Sequence, residues 1–227
     1  MEPMKLYEQW LRDFADDQET VQDLLSIRDD PREIEDRFYR ELEFGTAGMR
    51  GVLGAGTNRL NKYNVRRVSR ALAKYILTTP DGAQKGVAIA YDSRRKSTEF
   101  AREAALVLCA AGVKVFLYDS LRPVPVLSFT VRHLGCIAGI VITASHNPAQ
   151  YNGYKVYWTD GAQMPPESVK GITDRLPGTT YAESLPMDEK EALDKGLLTY
   201  IGKDVDDAYI AAVKKLAVNP ELAREMG

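Results

Sequence analysis

GVAIAYDSRRKSTEFAREAALVLCAAGVKVFLY, residues 86–118, is the stretch that decides the fold. Its first six residues, GVAIAY, are a short apolar run bounded by turn residues, which reads as a strand. Ser97 or Thr98 then opens a helical segment that ends at Gly112, and VKVFLY at 113–118 is the next strand. Strand, helix of about fourteen residues and strand is the signature of a right-handed parallel crossover. Downstream, a second helix over 124–134 leads into the apolar run 137–142, which reads as a central strand buried on both faces. The class is therefore α/β.

On the N-terminal side, Leu6, Trp10, Leu11, Phe14, Val21, Leu24 and Leu25 recur largely at spacings of three, four and seven, predicting one amphipathic helix over residues 5–25. Asp30, Pro31 and Glu33 start another, with a capping Asp, Pro in the first turn and an acid three residues on. FGTAGMRGVLGAGTNRLN follows at 44–61, with five glycines in eighteen residues. That density marks tight turns or backbone in close approach to something. A helix over 63–77 comes next. Past the central strand, Asn152-Gly153 reads as a turn before an extended segment at 154–158. A short helix and loop are expected over 165–178, and a last helix from about Lys203, with too little apolar surface around it for a core of its own.

Composition excludes several classes. The 227 residues are 44% apolar and 27% charged, ordinary for soluble globular domains. Thirty basic residues against 32 acidic ones give a net charge of −2, and the basic residues are scattered, so nucleic acid is not an expected partner. No window approaches the unbroken apolar length that spans a bilayer, and MEPMKLYEQWLRDFADD lacks the basic start of a secretory signal. The expected location is cytoplasmic. Cys109 and Cys136 sit in apolar stretches and read as reduced, buried hydrophobes.

Ser145 follows the central strand at its carboxyl end, where open α/β sheets place their ligand sites. SHNP alone is equally an ordinary turn. A hydrolytic dyad with His146 is disfavoured, because adjacent residues in extended backbone point to opposite sides and no G-x-S-x-G elbow is present. His133 lies in a helix, with a packed or solvent-facing role. Gly45, Gly48 and Gly51 are spaced G-x-x-G-x-x-G, which is not the dinucleotide fingerprint, and they precede the first βαβ unit.

Taken whole, TASHNPAQYNGYKVYW at 143–158 resembles the phosphoserine loop of the α-D-phosphohexomutase superfamily. FGTAGMRGVLGAGTNRLN resembles its N-terminal loop. The two occur in family order with AYDSR (90–94) between them, and the variant with paired N-terminal helices and GTAGMRG is most similar to the bacterial phosphoglucomutase/phosphomannomutase branch. The resemblance implies a three-layer α/β/α domain with a mixed, largely parallel sheet, preceded by two N-terminal helices. It divides the chain into a helical extension (1–42), domain I (43–195) and the incomplete beginning of domain II (203–227).

It also implies a chemistry. Phosphoryl would pass between the two ends of a sugar phosphate through a bisphosphorylated sugar, with Ser145 as carrier. Arg50 would enter the site as a phosphate-binding guanidinium. Lys155 would stabilise charge or move a proton, His146 would handle a proton or hold the loop, and Asn147 would join Arg50 and Lys155 in binding substrate. Magnesium is expected on the Ser145 phosphate, with glucose 1,6-bisphosphate as activator and a small sugar phosphate as partner. The D-x-D-x-D metal loop of the family has no match here. Asp204-Val205-Asp206-Asp207 has the wrong spacing and reads as a helix start. The expectation is the phosphoserine-bearing part of a mutase, inactive alone, the alternatives being a non-catalytic phosphosugar-binding module or phosphopentomutase-type specificity. Oligomeric state stays open.

Overall fold

The computed structural model describes residues 2–46, 48–218 and 221. Its strands are β1 (Phe44–Gly45), β2 (Gly48–Val52), β3 (Val87–Tyr91), β4 (Val115–Tyr118), β5 (Ala138–Ile142), β6 (Tyr151–Tyr157) and β7 (Leu198–Ile201). The helices are α1 (Pro3–Asp13), α2 (Gln18–Ser26), α3 (Pro31–Phe38), α4 (Lys62–Ile76), α5 (Gly82–Lys85), α6 (Ser97–Ala110), α7 (Val124–Leu134), α8 (Pro166–Thr173), α9 (Glu189–Asp194) and α10 (Lys203–Lys214).

The crossover at residues 86–118 forms as β3, α6 and β4. The seven-stranded sheet runs β1-β2-β6-β5-β3-β4-β7. β3 lies parallel between β5 and β4, and β7 adds parallel to β4. β6 is antiparallel to both β2 and β5, and β1 to β2. Only β1 and β6 therefore run against the rest of this mixed sheet. β5 sits mid-sheet with all five residues buried, as its unbroken apolar run requires.

Strand periodicity assigns the two faces. Val87, Ile89 and Tyr91 point into one core with Val65, Val68 and Leu72 of α4, Phe100, Ala104 and Leu108 of α6, and Ile172 of α8. Ala88, Ala90 and Val141 point into the other, with Val126, Leu127 and Val131 of α7 and Val205 of α10. Helices thus cover both faces in three layers, and each large buried side chain contributes on the order of 1.5–3 kcal/mol.

Ahead of the sheet stand three helices, where the periodicity predicts two. The stripe over 5–25 breaks at residues 14–17 because Asp17 is engaged elsewhere: its carboxylate accepts from Thr20 Oγ1 at 2.5 Å and from Tyr63 Oη and Lys62 Nζ at 2.7 Å. The break is thereby tied to the start of α4. α3 begins as expected, with Asp30 accepting from the amides of Arg32 and Glu33 and Pro31 in the first turn. Tyr7, Trp10, Leu24, Ile34, Phe38 and Tyr63 close a third, smaller core.

The sheet continues past residue 195 into β7, and Tyr209 of α10 meets Phe129 of α7 edge-on at 5.5 Å. Of the expected 203–227 segment, residues 219, 220 and 222–227 lie outside the described residues. Both cysteines are free and buried, and burial pushes each thiol up to about 12. No helix among the described residues is long and apolar enough to cross a membrane.

Candidate active site

β5 ends at Ile142 and delivers Ser145 three residues later, in the left-handed region at φ +55°. An L residue adopts that conformation only where its surroundings hold it. Part of the hold is local: Ser145 N donates to Thr143 Oγ1 at 2.9 Å, and Asn147 N to the Ala144 carbonyl at 3.1 Å. The chain then turns at 148–150 and returns as β6.

Asn152-Gly153, expected as the turn, lies instead inside β6, opposite Gly51 and Arg50 of β2. Two features favour strand over turn. Asn152 is fully buried, donating to the Arg95 carbonyl at 3.0 Å and to Ser97 Oγ at 2.9 Å. Gly153 lets the segment that leaves β5 approach β6, since a Cβ there would stand 2.6 Å from the Thr143 oxygen. The close approach that the pair supplies is thus spent between strands.

Register does the rest. Lys155 pairs with Val141 of β5, and its Nζ donates to Ser145 Oγ at 2.8 Å. Tyr154 and Val156, on the opposite face, are buried in the α4/α6 core. Arg50, on β2, donates from Nη1 to Asn147 Oδ1 at 2.7 Å. β2 reaches this position because Gly48, at φ +83°, has no Cβ; one would lie 2.1 Å from the Tyr154 oxygen. Ser145, Lys155, Arg50 and Asn147 are therefore brought together by three neighbouring strands. His146 is exposed beside them and makes no hydrogen bond or ion pair among the described residues. His133 is remote, stacked on Phe129 in α7.

Burial lowers the Lys155 pKa, and the Arg50 charge lowers it further against the opposing pull of Asp92. An ammonium that gives up its proton more readily than usual, bonded to a serine hydroxyl, suits proton transfer at that oxygen.

Sequence reasoning missed Arg94. Its guanidinium donates to four main-chain oxygens of the serine loop: Nη2 to Ser145 and Asn147, both at 2.7 Å, and Nη1 to Pro148 and Tyr151, both at 3.1 Å. The signal available was AYDSR itself, lying between the two motifs.

A divalent cation does not fit the residues described. No group of three or more His, Cys, Asp or Glu stands close enough to hold one among the described residues. Asp204 and Asp206 occupy the first turn of α10, where Asp206 is held by Arg122 at 2.7 Å and Asp207 by Lys203 at 2.5 Å.

A left-handed serine at the end of the central strand, with a lysine and an arginine on the neighbouring strands, defines an α/β/α domain of mixed sheet with a cationic serine site. Residues 41–183 match the family model for the phosphoglucomutase/phosphomannomutase α/β/α domain I, and the chain belongs to that family. It is 38% identical over 182 residues to a phosphoglucomutase of Staphylococcus haemolyticus, covering 80% of this chain and 33% of that one. It is 34% identical over 200 residues to the phosphopentomutase of Homo sapiens, covering 85% and 33%. A Thermus thermophilus structure assigned as a phosphomannomutase superimposes with a TM-score of 0.64 at 29% identity, over 78% of this chain and 36% of that one. The chain spans about a third of the length of the curated relatives it matches.

Proposed function

We propose that this chain is the phosphoserine-bearing domain I of a mutase that interconverts a hexose 1-phosphate and its 6-phosphate through a bisphosphorylated sugar, in cytoplasmic carbohydrate metabolism. The observation that carries the reading is the 2.8 Å bond from Lys155 Nζ to Ser145 Oγ at the carboxyl end of a central strand. On this reading residues 1–42 are a helical extension, domain I runs from 43 through β7 at 198–201 rather than ending at 195, and 203–227 open domain II.

In the first half-reaction the bond from phosphorus to Ser145 Oγ breaks and one to the sugar O6 forms; O6 loses its proton and Oγ gains one. After the bisphosphate turns end for end, the bond from phosphorus to O1 breaks and O1 takes up a proton, while Oγ receives the phosphoryl group and gives its proton back. Lys155 is the donor and acceptor of the proton at Oγ. Arg50 binds phosphate oxygens with its guanidinium fork, and Asn147 holds Arg50 in reach of Ser145. His146, exposed and without another partner, is assigned to the proton of the sugar hydroxyl. The phosphate on Ser145 would be this chain's one contribution to magnesium, which takes several oxygens, and no step above is routed through that ion. Glucose 1,6-bisphosphate serves to charge Ser145.

The test is intact-mass measurement and peptide mapping of protein expressed with the remainder of the mutase. One phosphoryl group on Ser145 is the expected result. Phosphate found reproducibly on Ser128 or Thr143, with Ser145 unmodified, overturns the assignment, and absence of any uptake leaves a phosphosugar-binding module. The similarity to human phosphopentomutase favours a second reading, with pentose phosphates as substrates. Parallel assays on glucose 1-phosphate and ribose 1-phosphate separate the two.

A further inference from the structure

Loop 145–151 presents more main-chain carbonyls than its own amides satisfy, and Arg94 collects four of them. A guanidinium has five N–H donors in a planar fork. Here Nη2 serves Ser145 and Asn147, Nη1 serves Pro148 and Tyr151, and Nε lies 3.5 Å from Asp92 Oδ2. Four donor directions are thus engaged by one loop, and the Nε edge faces Asp92 as an ion pair.

The far side of the clamp is anchored in turn. Asp92 N donates to the Ile142 carbonyl at 3.2 Å, which fixes it beside the end of β5. Asp92 Oδ1 accepts from Arg94 N at 3.0 Å and from Ser97 Oγ at 2.7 Å, and Ser97 Oγ accepts from Asn152 Nδ2 at 2.9 Å. A continuous set of hydrogen bonds therefore runs from the start of α6, through Asp92 and Arg94, to both ends of the serine loop.

We propose that Arg94 is the positioning residue of this site, clamping loop 145–151 in the left-handed geometry that aims Ser145 Oγ at Lys155. Arg94 does not reach the reacting oxygen; it acts through the carbonyl of Ser145 itself. A left-handed serine is strained and persists only when its surroundings over-determine it. Four hydrogen bonds from one cation provide that over-determination. A lysine at position 94 would bring three donors from a single point and no planar fork, so it would not reproduce the clamp. The clamp concerns loop geometry alone; its consequence for turnover rests on Ser145 being the phosphoryl carrier.

Hydrogen exchange on the 227-residue chain tests the geometry, and steady-state kinetics of the complete mutase test the consequence. In Arg94→Ala, amides of 145–151 are expected to exchange at least about tenfold faster while the core strands keep their protection. Arg94→Lys should behave like the alanine variant, and guanidinium ions at concentrations far below denaturing levels should restore protection to the alanine variant in part, which a general loss of packing would not permit. In the complete enzyme, kcat should fall about 100-fold with KM changed less than about threefold, since a misaimed nucleophile loses orientation and not substrate affinity. Unchanged exchange in 145–151 overturns the proposal. Global loss of protection in both variants overturns it as well, making Arg94 a residue of the fold. Failure of the wild-type enzyme to phosphorylate Ser145 instead counts against the mutase reading, while the exchange data still decide the clamp.

Discussion

Lys155 is held between two opposing requirements. Burial and the Arg50 charge favour its neutral form, while the hydroxyl of Ser145 accepts a hydrogen bond from its ammonium at 2.8 Å. The alkaline limb of the pH–rate profile of the complete mutase should therefore fall below the ordinary lysine value of 10.5. Lys155→Arg should abolish that limb and cut turnover at least about 100-fold, because a guanidinium keeps the charge but does not release the proton. Arg50→Gln should move the limb upward, since the positive charge that depresses Lys155 is gone. A limb that stays in place in both variants would return Lys155 to a strand lysine. These residues are legible in sequence because each lies inside a long motif: Ser145 and Lys155 in TASHNPAQYNGYKVYW, Arg50 in GTAGMRG. Arg94 is not, because its partners are main-chain oxygens, and carbonyls carry no residue identity for a pattern to register.

At the scale of elements, one aspartate decides how the N-terminal helices dock. Burial would raise the Asp17 pKa, but hydrogen bonds from Lys62, Thr20 and Tyr63 outweigh it and hold the group down at about 2, against 3.8 ordinarily. A depressed folded-state value means stability that is fully present above pH 3.8 and lost as the pH falls through about 2. With allowance for solvent screening the contribution is on the order of 1 kcal/mol. Asp17→Asn should lower the melting temperature at neutral pH, and its acid-unfolding curve should converge on the wild-type curve near pH 2; parallel curves would remove Asp17 from this role. Periodicity alone runs α1 and α2 together because apolar residues stay in phase across residues 14–17, and the break depends on Tyr63 and Lys62, some 46 positions away for the tyrosine. The same limit applies to Asn152-Gly153, which local turn chemistry assigns to a hairpin and tertiary contacts assign to β6. Gly153→Ala should accordingly displace the segment that leaves β5 at Thr143, lowering both stability and Ser145 phosphorylation. Wild-type values for both would show that the 2.6 Å approach relaxes at no cost.

For the molecule as a whole, the crossover at 86–118 and the buried run at 137–142 make the parallel centre of the sheet readable, whereas β7 is not. LTYI lies between Gly196 and Gly202, but it is only four residues long, exposes two of them and shows no alternation of apolar and polar residues to mark a strand. Its place beside β4 predicts that a chain ending at residue 195 is damaged. Leu198 and Val205 would leave their cores, a loss on the order of 3–6 kcal/mol that lowers the melting temperature by about 10 °C, and β4 would become an open edge. A truncated chain that melts like the 227-residue one would place the domain boundary at 195 after all. The longer chain, by contrast, keeps β7 on the sheet and, among the described residues, three cores packed against it and its helices, so it should unfold in a cooperative transition. Its catalytic prospects are different. Ser145, His146 and Pro148 lie exposed, the described residues hold no cluster fit for a cation, and Ile210, Val213, Leu216 and Val218 stand uncovered around the end of α10. Among the described residues, charge on a phosphorylated Ser145 would be neutralised by Arg50 and Lys155, and none on the open side stands to orient the sugar or exclude water. The purified 227-residue chain is therefore expected to be folded and to show no sustained conversion of glucose 1-phosphate to glucose 6-phosphate in a coupled assay, even with magnesium and glucose 1,6-bisphosphate supplied. Sustained turnover that co-purifies with the chain and vanishes in Ser145→Ala would show that domain I is by itself a minimal enzyme.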